Sequence, residues 1–324
     1  MNTDRRSFLA LSGAAAAAAI ATPRTARAHA PDPGTERVPG QAAGSKPRRN
    51  PIGISTYSYW RFNDDSKLAI EDCILRSAEF GFDGVEILHM QMPQEDNAYL
   101  QMLKSTAHRE GLCLMGFSTH QSFIFTDAAK RKENVEHTNK CIEIAYELGC
   151  PSIRINTGRW GTSKDFDELM KNRGIEPILP GYTEEDGFKW CIEGIQRCLP
   201  KAEECGVILA LENHWGLART PEGLLRILNS ISSPWLGGLM DTGNFLEEPY
   251  PKLAMIAPKT VYVQAKTYHG GGEWYSLDLD YGRIAKILGD VGYPGWISLE
   301  MEGKENPDTA VPKSLKTLRK AFGG

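Results

Sequence analysis

From Ile52 onward, short apolar runs rich in β-branched residues alternate with longer stretches whose apolar positions recur every three or four residues. The first pattern suits a buried strand and the second an amphipathic helix. Read this way, strands fall at Ile52–Tyr59, Gly84–Leu88, Cys113–His120, Ser152–Thr157, Val207–His214, Trp235–Asn244, Thr260–Thr267 and Trp296–Glu302. The helices between them fall at Ser66–Phe80, Gln94–Glu110, Lys130–Leu148, Glu184–Cys205, Pro221–Asn229, Pro251–Ile256 and Tyr281–Val291, with Pro307–Ala321 closing the series. Strands alternating with helices of this length predict a parallel sheet with right-handed crossovers. Eight repeats predict closure into a single-domain (β/α)8 TIM barrel over residues 51–324, whose active site lies at the C-terminal strand ends.

Four of the predicted strands end on polar, metal-capable side chains: Glu212, Asp241, Gln264 and Glu300. In a closed barrel these converge on one mouth. Three carboxylates meeting there repel one another unless shared protons or a cation hold them. A divalent ion is the simpler solution. The donors are all oxygens, which suits Mn²⁺ first, with Mg²⁺ or Co²⁺ as alternatives, better than Zn²⁺.

The order and wording of the segments VILALENH, WLGGLMDTGN, TVYVQAKT and WISLEME resemble the sugar phosphate isomerase/epimerase superfamily, with its xylose isomerase-like TIM barrel. The resemblance runs from about Ile52 to Phe322. It implies that Glu212, Asp241 and Glu300 are metal ligands, and it puts Gln264 and Asn244 where the family often has histidine. It further implies that Glu212 and Glu300 act as an acid/base pair on opposite faces of a sugar, moving a proton beside a metal-chelated carbonyl through an enediolate. A metal-dependent 3-keto-glycoside lyase shares that intermediate and stays open. So does a sugar-binding barrel without catalysis, for which the changes at Gln264 and Asn244 speak.

Further substrate contacts are expected from Glu86, His120, Arg154, Asn156, His214, Asn244 and Lys266, all at or just beyond strand ends. Each has a structural alternative: Glu86 as a partner for Arg154, the histidines as packed side chains, Lys266 as a partner for Glu300. His89 and His269 rank lower. The connection from Arg159 to Thr183 is far longer than a βα loop needs and lies on the mouth side. It reads either as a pocket wall, with Trp160 or Tyr182 stacking on sugar, or as a surface insertion.

Composition narrows the class. The 324 residues are 41% hydrophobic, enough for a full core, and the net charge of −4 argues against nucleic acid. Seven cysteines form no tight framework, and Cys191, Cys198 and Cys205 share one helix face as core residues. Residues 1–30 carry twin arginines (Arg5, Arg6), a modest alanine-rich run and an Ala26-Arg27-Ala28 cleavage pattern. That predicts Tat export to the periplasm or beyond, followed by a disordered tether over 31–50. The alanine run is too short to span a bilayer, so no membrane partner is expected for the mature chain. The expected partner is a small, non-phosphorylated keto-sugar, with a homo-oligomer left open.

Overall fold

Eight parallel strands pair in chain order, and the eighth returns to the first. They are β1 (Ile52–Ser55), β2 (Gly84–Leu88), β3 (Cys113–Ser118), β4 (Ser152–Ile155), β5 (Ile208–Glu212), β6 (Leu236–Asp241), β7 (Thr260–Thr267) and β8 (Ile297–Met301). This computed structural model describes residues 49–323. The expected leader, and the tether as far as residue 48, lie outside the described residues. Among the described residues no helix is long and apolar enough to cross a membrane.

The outer ring comprises α1 (Ile70–Phe80), α2 (Asn97–Arg109), α3 (Ala128–Leu148), α4 (Phe166–Lys171), α5 (Glu184–Cys205), α6 (Pro221–Ser230), α7 (Pro249–Ile256), α8 (Tyr281–Asp290) and α9 (Pro307–Phe322). Among the α-helices of the described residues, the one that periodicity misses is α4, six residues inside the long connection after β4. It is too short to show a period, and Asp165 caps it by accepting from the Glu168 amide. The start of α5 is a capping box in which Thr183 and Asp186 satisfy each other's amides. Several strands end earlier than their apolar runs: after Ser55, residues Thr56–Tyr59 turn into a 3-10 helix. Hydrophobicity continues there because the turn is still buried.

Outward-facing strand residues such as Ile54, Val85, Ile87, Ile153, Leu209, Leu211, Val263 and Leu299 join the helices in one continuous core. Burying each such side chain is worth about 1.5–3 kcal/mol. Cys191 and Cys198 belong to that core, and Cys205 packs against it half-buried. Inside the barrel, Ala210, Leu239 and Tyr262, with Trp296, form a separate apolar plug. Tyr262 fits because Gly116 faces it: a Cβ there would lie 2.8 Å from the Tyr262 hydroxyl. Above the plug is Glu86, aimed inward where the β2–β3 register shifts between Val85 and Glu86. This stack of layers floors the mouth.

Candidate active site

The mouth opens into a cavity of about 480 Å³. Its floor carries Arg154, Glu212, Lys266, Glu300 and Glu302, and its walls include Tyr57, Phe62, His120, His214, Trp215, Trp274 and Tyr275. Charged groups at the bottom and aromatic faces around them are what a small polyol with apolar C–H faces requires.

Arg154 anchors one side. Its guanidinium donates to Glu212 Oε2 at 3.1 Å and to the Thr119 carbonyl at 2.7 Å. Asn244 donates to the other oxygen, Glu212 Oε1, at 3.0 Å. On the opposite side Lys266 Nζ donates to Asn244 Oδ1 at 3.2 Å. The same ammonium lies 3.5 Å from Asp241 Oδ2, 3.5 Å from Glu302 Oε2 and 4.0 Å from Glu300 Oε2. Gly243 makes this approach possible, because a Cβ at that position would lie 2.8 Å from the Lys266 side chain and 2.3 Å from the Tyr268 hydroxyl.

Crowding of acids in a buried space sets their titration. Burial pushes Glu212 up to about 7, with Arg154 pulling the other way. Burial likewise raises Asp241 and raises Glu300 well above the usual carboxylate range, with Lys266 opposing in both. For Lys266 the balance reverses: burial disfavours its charge, but Asp241 and Glu302 outweigh it and hold the ammonium well above its ordinary value. Arg154 follows the same logic through Glu212 and Glu300. The histidines go down. His120 falls to about 3 through burial and the neighbouring Arg154, and burial holds His214 well below its usual value. Both are neutral near pH 7, as acceptance of an Arg154 N–H by the His120 ring requires.

Of the residues expected from the sequence, His120, Arg154, Glu212, His214, Lys266 and Glu300 all line the cavity. Asp241, Asn244 and Gln264 are buried among the same strand ends. Glu86, expected among the substrate contacts, does not line the cavity and is buried under its floor. Its carboxylate accepts from Tyr262 at 3.1 Å, Gln264 at 2.7 Å and Ser298 at 2.6 Å, and from the Ser118 hydroxyl. Nor is it Arg154's partner, a role that Glu212 takes. Asn156 is buried without lining the cavity. Trp160 and Tyr182 do not stack over the mouth; both pack edge-on against Trp190 of α5. The long connection contributes Arg159 and Phe166 to the wall instead.

Tyr57, Phe62, Trp215, Trp274, Tyr275 and Glu302 escaped the sequence reading. Only Trp215, directly after the ENH segment, and Glu302, ending the WISLEME segment, had a motif to flag them. Phe62 points into the cavity from a backbone with φ 57, next to Arg61 with φ 53. Arg61 is locked there by donating to the Gly303 and Glu305 carbonyls at 2.9 and 3.0 Å. Two consecutive left-handed non-glycine residues store strain, which is common where a side chain must be aimed at a ligand.

The donor set fits a divalent ion. Gln264 Oε1 is buried without a hydrogen bond among the described residues, and Asp241 Oδ2 is buried with only the Lys266 ammonium 3.5 Å away; Asp241 and Gln264 are direct register partners on β6 and β7. An unpaired buried acceptor is costly, and two side by side are what a cation would satisfy. Lys266 already supplies one positive charge to the same space. A separate group with metal-binding spacing, His89, His137 and Cys141, lies elsewhere.

A family model described as xylose isomerase-like TIM barrel matches residues 74–321. No curated protein sequence matches the chain. Among solved structures it is similar to 3-keto-D-glucoside 4-epimerase from E. coli, with TM-score 0.65 and 17% identity over 84% of this chain and 100% of that one. D-psicose 3-epimerase from Clostridium cellulolyticum H10 gives TM-score 0.65 and 17% identity over 84% and 99%. An L-ribulose 3-epimerase gives 0.65 and 18% over 84% and 95%. At these identities the likeness shows the shared fold.

Proposed function

The chain belongs to the xylose isomerase-like TIM barrel family, and from that premise we propose that it is a sugar isomerase or epimerase working by proton transfer beside a carbonyl. The observation that carries this reading is the buried trio of Glu212, Asp241 and Glu300, raised by burial, around one lysine in a sugar-sized cavity. Glu212 accepts the substrate proton, and Glu300, its carboxyl raised by burial, delivers one. Exchanging their roles runs the reaction in reverse. Arg154 and Asn244 fix the Glu212 carboxylate, and Lys266 places its ammonium against the developing oxyanion. Asp241, Gln264, Glu300 and Glu212 would hold a divalent ion, Mn²⁺ by the hardness of the oxygens, and it would supply Lewis-acid polarisation of the carbonyl.

The cations on the cavity wall bear on the substrate. Arg154 pairs with Glu212, Lys266 with Asp241 and Glu302, and Arg159 with Glu176 at 3.1 Å. With each already matched to an acid, a phosphate has no strong docking point. That favours a non-phosphorylated keto-sugar, in keeping with the export pattern of the first 30 residues. The names of the similar structures, a keto-glucoside epimerase and ketose epimerases, support the same substrate class.

The test is incubation of Mn²⁺-loaded protein with free ketoses and 3-keto-glycosides in D₂O. Deuterium at a retained carbon is the expected result, and Glu300→Gln lowers that exchange by at least ~10²-fold, the usual loss with a general acid or base. Release of the aglycone instead assigns a lyase. Sugar binding with no exchange on any substrate sinks the catalytic reading.

A further inference from the structure

Outside the barrel wall, where β2 hands over to the α2 side of the ring, three side chains that the proton chemistry does not use converge. Cys141 Sγ lies 3.7 Å from His89 Nδ1 and 3.7 Å from His137 Nε2. All three atoms lie within 4.8 Å of one another. His137 and Cys141 are four apart on α3 and so share a face. His89 arrives from the turn directly after β2. In a tetrahedral zinc site, with Zn–S of about 2.3 Å and Zn–N of about 2.0–2.1 Å, the S···N edges measure about 3.6 Å. The observed edges match that shape.

The surroundings match as well. His89 meets Glu95 Oε1 through its other nitrogen, Nε2, at 2.5 Å. That is the carboxylate–histidine arrangement that orients a metal-binding imidazole and selects its tautomer. Lys140 pairs with Glu95 from the solvent side. An ion binding there would take the Cys141 sulfur as thiolate and release its proton to solvent.

We propose that His89, His137 and Cys141 bind one thiophilic divalent ion, Zn²⁺ by its chemistry, with Glu95 orienting His89. Two imidazoles and a thiolate select Zn²⁺ over the hard ions suited to the oxygen donors of the mouth. Such an ion ties the end of β2 to the middle of α3. Because Leu88 and Met90, on either side of His89, line the cavity, the ion also braces one wall of the active site. It is a site separate from the strand-end carboxylates and independent of their chemistry.

Full-length, chelator-stripped protein titrated with Co²⁺ tests this directly. A thiolate-to-cobalt charge-transfer band is expected. It disappears in Cys141→Ser and persists in both Asp241→Asn, at the mouth, and Cys113→Ser, the exposed cysteine. Glu95→Gln weakens the ion by 10–100-fold, as loss of an orienting carboxylate typically does. X-ray absorption of zinc-saturated wild type needs no variant and shows sulfur among the zinc neighbours. A zinc shell without sulfur, or a cobalt band that survives Cys141→Ser, overturns the proposal.

Discussion

At the residue scale, the contest is between desolvation and the few charges that answer it. His120 is the clearest case for measurement. Its pKa is near 6.5 when unfolded and about 3 when folded, through burial and then Arg154. Below pH 6.5 the unfolded chain therefore binds the extra proton, and this residue's contribution to stability is lost as pH falls from about 6.5 toward 3. His120→Asn removes that term. Its stability relative to wild type should accordingly rise as pH drops through this window, as read from denaturant midpoints at pH 7, 6 and 5. An unchanged difference across those pH values would show that His120 does not titrate low. Asp241 makes a second case: its Oδ2 is buried with only the Lys266 ammonium, 3.5 Å away, to answer it, and Asp241→Asn should weaken Mn²⁺ binding by orders of magnitude, measured from the free-ion paramagnetic resonance signal.

At the element scale, two loops close over the mouth although they start three strands apart. Trp274, in the β7–α8 loop, donates its indole N–H to Asp167 Oδ1 at 2.7 Å, and its ring meets Phe166 edge-on at 4.6 Å. Phe166 and Asp167 belong to α4 in the long connection after β4. The connection is thus part of the pocket, through α4 rather than through the two aromatic residues that the sequence singled out. Trp274→Ala should raise KM by roughly tenfold, about 1.4 kcal/mol, with a smaller change in kcat, because it removes wall and not floor. An equal fall in kcat at constant KM would place Trp274 in the chemistry instead.

At the scale of the whole molecule, one buried carboxylate ties strands from both halves of the barrel. Glu86 of β2 accepts from Ser118 on β3, Tyr262 and Gln264 on β7, and Ser298 on β8. Glu86→Gln replaces one acceptor oxygen with a donor facing donors, and should cost about 1–3 kcal/mol for each group left unpaired. Calorimetric unfolding gives the readout. Since Gln264 hangs from this network, the same variant should also weaken the metal site, whereas a purely local Glu86 would leave ion affinity unchanged.

The amino-acid sequence by itself determined the architecture, because strand and helix periods are local properties and eight alternations leave one way to bury every apolar face. It also placed Glu212 and Glu300 at the mouth and Asp241 among the strand ends beside them, since strand-end position and the two-residue alternation of strands aim them there, but it did not single out Glu302 and it put Glu86 too high. The tertiary structure alone decided who partners whom. Glu86 and Glu212 look alike as strand-end acids, yet the register shift after Val85 and the donors Ser118, Tyr262, Gln264 and Ser298 hold one beneath the floor while Arg154 claims the other. The aromatic wall was equally hidden. Tyr57 lies in a single 3-10 turn and Phe62, Trp274 and Tyr275 in loops, where no period constrains direction, and their orientation comes from distant contacts such as Arg61 with Gly303 and Trp274 with Asp167. Hydrophobic period is encoded along the chain, whereas pairing energies depend on distances that exist only after the barrel has closed.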